Sequence, residues 1–112
     1  KDSRILVKSI YQLTADGKFN KDFGLREQIQ RASVSIMNNI AEGFERNNNK
    51  DYIKFLGYSK GSAGEVRSML YVATDLGYVS DESFNSLHQL SVNIITQISN
   101  FIKYLKTVSL KK

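Results

Sequence analysis

SIMNNIAEGFERNNNKDYIKFL, residues Ser35–Leu56, is the stretch on which the fold turns. Its first half carries apolar residues at helical spacing: Ile36 and Ile40 on one stripe, Met37, Ala41 and Phe44 on the next. Arg46–Lys50 then passes without a single apolar side chain. Helical spacing resumes at Tyr52, Phe55 and Leu56. Two amphipathic runs around a short polar corner read as helix–corner–helix. Asn47-Asn48-Asn49 suits the corner, because asparagine side chains compete for backbone partners and tolerate the left-handed region. Asn49 or Lys50 is expected to lead into the following helix, with Asp51 near its positive N-terminus.

Working outward, the pattern predicts four helices. The first covers about Asp2 to Ala15, with Leu6, Ile10 and Leu13 on one face and Asp16-Gly17 as its stop. A linker, Lys18–Gly24, carries Phe19 and Phe23, which are expected to pin it to the end of the fold. The second helix runs from about Leu25 to Glu45 and the third from about Asp51 to Leu76. In the third, Gly57, Gly61, Gly64 and Ser68 recur at spacings of four, three and four. Each interior glycine costs about 1 kcal/mol against alanine, so the stripe is expected to lie under something close, a neighbouring helix backbone before a ligand. Gly77 ends this helix, and Ser80 caps the fourth, with Asp81 and Glu82 in its first turn. Phe84, Leu87, Ser91, Ile94, Ile98, Phe101, Leu105 and Val108 alternate spacings of three and four, a coiled-coil-like seam. Short connections between four helices give the expected fold class: all-α, an antiparallel up-down-up-down four-helix bundle in one domain, residues 1–112.

Composition agrees. The 112 residues include no proline and seven glycines with 41% apolar content, which argues against an all-β domain. The absence of cysteine removes disulfides, zinc ribbons and thiol nucleophiles, and fits a reducing cytoplasm. No apolar run is long enough for a membrane span or a signal-peptide core, so no membrane partner is expected. The chain starts at Lys1, inside what reads as a helix and without an initiator methionine, so a few residues are expected to precede it. The net charge of +5 is unevenly spread. Twelve of the sixteen basic residues lie between Lys1 and Arg67, four follow Ile102, and none falls between Met69 and Ile102. Such clustering admits a patch for a polyanion, although ordinary solvated helix surface plus a basic tail accounts for it equally simply.

Catalysis finds little support. His88 is the sole histidine and no motif supplies the orienting partner that a general base needs. Neither a nucleophile elbow nor a phosphate-binding glycine loop is present. Glu42 and Glu65 lie amid apolar and small residues, but a di-metal bundle site calls for Glu-x-x-His pairs, which the chain lacks. The two carboxylates are expected to be structural, each paired with an Arg or Lys, for which Arg31 and Arg67 are candidates, or capping a buried polar group. Neither metal nor cofactor is expected, nor an enzyme. The candidate nucleic-acid-binding residues are Arg46, Lys50 and Lys54, with Lys60 and Arg67 further along the third helix. Tyr52 and Tyr58 are placed to stack on unpaired bases, with core packing the plainer role for Tyr52.

Gln28-Ile29-Gln30-Arg31-Ala32-Ser33-Val34-Ser35-Ile36, Asn39-Ile40-Ala41-Glu42-Gly43-Phe44, Tyr52-Ile53-Lys54-Phe55-Leu56, Gly61-Ser62-Ala63-Gly64-Glu65 and Asp75-Leu76-Gly77-Tyr78, in that order, carry a resemblance. From Ile5 to about Leu110 the chain resembles the four-helix-bundle proteins encoded in 23S rRNA intervening sequences. That family is similar to the accessory variability protein of diversity-generating retroelements. The resemblance implies a four-helix protomer, a homo-oligomer with the pentamer favoured, and structured RNA or DNA or a nucleoprotein partner bound through a basic surface. At the corner the chain departs from the pattern: many relatives carry more Arg or Lys where Asn47-Asn48-Asn49 stands, so the local positive charge is lower here. A protein–protein scaffold is the alternative role.

Overall fold

The computed structural model describes residues 2–110, and it is helical throughout: α1 (Asp2–Leu13), a short α2 (Gly17–Lys21), α3 (Phe23–Glu45), α4 (Asn49–Asp75) and α5 (Asp81–Leu110). The molecule is elongated, 53 × 21 × 19 Å. Its length follows from α5, whose 30 residues span about 45 Å at 1.5 Å per residue. α3 packs on α4, α4 on α5, and α1 on both α3 and α5, so the four long helices surround one core.

The core is what the apolar spacing requires. Leu6 and Ile10 come from α1, Ile29, Ala32 and Ile36 from α3, and Leu56, Ala63, Val66, Leu70 and Ala73 from α4. The α5 seam delivers Leu87, Ser91, Ile94, Ile98 and Leu105 inward, with Phe84, Phe101 and Val108 half-buried. Ser91 sits on the seam without penalty because its hydroxyl bonds Leu87 O at 2.9 Å within the same helix.

α3 and α4 are drawn together by small residues. A Cβ on Gly43 would stand 2.9 Å from Tyr52 Cδ1, 3.0 Å from Phe55 Cβ and 3.3 Å from the Tyr52 carbonyl oxygen. Further along, the buried Ser59 hydroxyl donates to Ile36 O across the interface at 2.7 Å, and Ser62 donates to Ser35 Oγ at 3.0 Å. These contacts run in opposite sequence order, 43 to 52, 36 to 59 and 35 to 62. The α4–α5 contacts do the same, Tyr52 with Phe101 and Tyr71 with Phe84.

The glycine stripe of α4 behaves otherwise than expected. A Cβ on Gly57, Gly61 or Gly64 would meet nothing within 4 Å. No neighbouring helix of the protomer covers this stripe, because α3 and α5 occupy the flanks of α4 and leave its outward face bare. The close approach that glycine permits lies at Gly43 instead.

The linker also divides differently. Phe19 is buried at 1% exposure and packs on Tyr78, ring centroids 5.4 Å apart. Phe23 is 65% exposed and does not pin the linker; the Arg26 guanidinium covers its ring at 4.8 Å. Gly77 ends α4 at φ 77°, with Tyr78 N–H bonding Ala73 O and Gly77 N–H bonding Thr74 O, a Schellman closure. Tyr78 is thereby aimed at α3, where its hydroxyl donates to Asp22 at 3.0 Å. That same carboxylate accepts the Leu25 N–H and caps α3.

Two outcomes test this packing. Gly43→Ala should destabilise the fold by about 1–3 kcal/mol, whereas Gly61→Ala should stabilise the protomer by up to about 1 kcal/mol, both read from urea unfolding midpoints. The hydrogen bond to Asp22, then burial, then the carboxylate charge hold the Tyr78 proton and raise its pKa above 10.0. Its contribution is complete below the unfolded tyrosine pKa and fades as pH rises through the higher folded value. Tyr78→Phe should lower Tm at neutral pH and flatten the alkaline decline seen in the parent.

Candidate nucleic-acid interface

The corner between α3 and α4 explains the three asparagines. After the C-cap Arg46, Asn47 takes φ 59°, a left-handed conformation that asparagine tolerates better than most residues. Asn48 is the N-cap of α4: its Oδ1 accepts Asp51 N–H at 2.8 Å and its Nδ2 donates to Arg46 O at 3.1 Å. Asn49 opens the helix. The cap thus falls one or two residues earlier than the sequence pattern indicated, and the asparagines serve turn chemistry in place of charge.

Around this corner Arg46, Lys50 and Lys54 are exposed. Arg46 is held on two sides, by Glu42 at 2.9 Å and by the Phe55 ring, 4.8 Å below the guanidinium. Both contacts orient Arg46, and Glu42 offsets part of its charge. That bridge is the one ion pair among the described residues, so Lys50, Lys54, Lys60 and Arg67 stand without an acidic partner.

These five candidates do not form one patch. On α4, Lys54, Tyr58, Gly61 and Glu65 follow one another at i, i+4, i+7 and i+11, and Lys60, Gly64, Arg67 and Tyr71 do the same on another line. The first line borders α3, since the adjacent Ser62 bonds Ser35. The second borders α5, since Tyr71 packs on Phe84 and His88 with centroids at 4.9 and 5.4 Å. Lys60 and Arg67 are therefore separated from the corner cluster by the bare glycine strip.

The expectation that Glu42 and Glu65 each pair with a cation holds for Glu42 alone among the described residues. Both are exposed. Glu42 pairs with Arg46, its neighbour one helical turn on, and with neither Arg31 nor Arg67. Glu65 makes no ion pair among the described residues. It shares with Gln28, Arg31, Ala32, Ser35 and Ser62 an open polar cleft of about 400 Å³ between α3 and α4. Sequence reasoning passed over this cleft. Its only trace there is the line of Gln28, Ala32 and Ser35 at spacings of four and three beside the apolar stripe.

Aromatic groups extend from the corner. Tyr52 packs edge-on against Phe101 at 5.3 Å and against Phe44 at 6.3 Å, and burial raises its pKa above 10.0. It belongs to the packing. Tyr58, 50% exposed and edge-on to Phe55 at 5.5 Å, presents a free face. Phe44, on the second apolar stripe of α3, is 67% exposed. It borders a groove between α1 and α3 lined by Ser3, Met37, Ile40, Ala41 and Tyr52. His88 is half-buried, stacked on Phe84 at 5.2 Å with Nε2 3.3 Å from the Tyr71 hydroxyl. No group of three or more His, Cys, Asp or Glu side chains among the described residues could hold a metal ion. No helix of the structure is long and apolar enough to cross a membrane.

An elongated all-helical protein with an exposed basic corner is the class that these features define. The chain belongs to the 23S rRNA-intervening sequence protein family, whose model matches residues 1–100. It is similar to a protein of unknown function from the S23 ribosomal protein family of Bacteroides thetaiotaomicron VPI-5482, whose crystal structure was determined at 1.70 Å resolution. The two share 25% identity and superpose with a TM-score of 0.83, over 91% of this chain and 95% of the other. No curated protein matches the chain.

Asn48→Ala removes the α4 cap while leaving every cation in place. It should cost about 1 kcal/mol of stability, measured by chemical denaturation.

Proposed function

We propose that the chain is a non-enzymatic, cytoplasmic nucleic-acid-binding protein, an up-down-up-down antiparallel four-helix bundle that assembles into a homo-oligomer. The observation that carries the binding reading is the corner, where Arg46, Lys50 and Lys54 are exposed together and acid engages only Arg46. A phosphate backbone is the ligand that fits such a group. Binding of this kind is led by counterion release and is salt-sensitive and weakly sequence-specific. The exposed face of Tyr58 adds a platform for an unpaired base. Lys60 and Arg67 contribute where a strand crosses the bare outward face of α4.

The reversed order of contacts between α3 and α4, and between α4 and α5, supports the antiparallel topology. Self-association is supported by the uncovered apolar groove between α1 and α3, with Phe44 and Ile5 exposed at its edges. The family resemblance favours five copies, which would multiply a small basic patch through avidity. The same groove favours a second reading, a scaffold that docks another protein. A partner captured despite nuclease and high salt would support that reading over the first.

Filter binding with generic single-stranded RNA and DNA at low salt should return micromolar affinity. Replacing Lys50 and Lys54 together by alanine should reduce the slope of log K against log salt by about 1.5. Absence of retention at micromolar protein would overturn nucleic-acid binding. A scattering mass near 12.7 kDa at every concentration would overturn the oligomer.

A further inference from the structure

The polar cleft between α3 and α4 places opposite charges on facing walls and leaves them apart. Arg31 stands on α3 and Glu65 on α4, both exposed, and they form no ion pair within 4.0 Å. Gln28 lies one turn from Arg31, and the bonded hydroxyls of Ser35 and Ser62 are between the walls. At about 400 Å³ the cleft admits one planar ring. Its lining offers five guanidinium donors, a carboxylate that accepts two parallel donors, and a side-chain amide.

We infer that this cleft receives a guanine base. Guanine presents the acceptors N7 and O6, which a guanidinium bridges, beside the donors N1–H and N2–H₂, which a carboxylate bridges. Adenine and cytosine each have a single amino group on these edges, and uracil has a single ring N–H, so none of them satisfies a bidentate carboxylate and a bidentate guanidinium together. The inference rests on the nucleic-acid reading, because the cleft lies in line with the basic corner. Lys54, Tyr58, Gly61 and Glu65 share one line of α4, and Glu65 is about 16 Å along it from Lys54. A single strand held by phosphates at Lys54 and by a stacked base at Tyr58 passes over Gly61, which has no side chain to obstruct it. It reaches the cleft with an unpaired base free to present its edge.

The test uses short oligouridylates with one central guanosine, adenosine or inosine, followed by fluorescence polarisation, and free GMP and AMP followed by NMR shifts of the Ser35 and Ser62 amides. The guanosine oligomer should bind about ten-fold tighter than the adenosine one. Inosine, which lacks the N2 amino group, should lose most of that preference. In Glu65→Gln and Arg31→Gln the preference should disappear while residual binding to plain oligouridylate stays. Oligomers that bind without a guanosine preference, or a preference that survives Glu65→Gln, would overturn the cleft assignment and leave the basic corner standing. GMP shifts without any oligonucleotide binding would support the cleft and overturn the nucleic-acid reading. Neither oligonucleotide nor GMP binding would overturn both.

Discussion

The close approach of α3 and α4 is the constraint on which the rest depends. At Gly43 the helices are near enough that one added methyl group would collide with Tyr52 and Phe55. Two further contacts, Ser59 to the Ile36 carbonyl and Ser62 to Ser35, hold the same register with short polar side chains. A larger residue at Gly43 would have to displace Tyr52 and Phe55 of α4. The separation of the helices sets the width of the cleft at Arg31 and Glu65. It also brings Phe55 beneath Arg46, so the orientation of a surface cation is a consequence of packing.

The corner shows how one short segment meets two demands. Three consecutive asparagines could be read as a loss of positive charge, and electrostatically they are. The backbone accounts for two of them: a left-handed residue at 47 and a cap at 48. A lysine at 48 could not accept the Asp51 N–H, because an ammonium group has no acceptor. Charge is displaced to Arg46, Lys50 and Lys54, on either side of the turn. The result is a compact basic tip with a well-defined geometry, flanked by the exposed ring of Tyr58.

The outward face of α4 is the least conventional surface of the molecule. Three glycines of a long helix have open space where a side chain would stand, at a cost of about 1 kcal/mol each. The tertiary arrangement puts cations and aromatics on both sides of this strip, toward α3 on one side and α5 on the other. Residues that look like one basic series in the sequence therefore belong to two flanks.

The four long helices and their apolar sides were legible in the sequence, because they follow from local rules, whereas the short α2 (Gly17–Lys21) forms in what the pattern reads as a linker. The α5 seam, the Gly77 stop and the Ser80 cap read correctly, the last through its bond to Ser83 N–H at 3.1 Å. Periodicity states which face of a helix is apolar; it does not state how much of that face a neighbour covers. For that reason the exposure of Phe23 and the bare glycine stripe are not legible in the spacing, and Arg46, one turn away, is not singled out as the partner of Glu42. The chain alone determined the elements and their apolar sides through backbone propensity and spacing. Only the tertiary structure decided which small residues meet, which cations share a flank and which opposite charges stay apart, because those depend on distances between helices that no local pattern encodes.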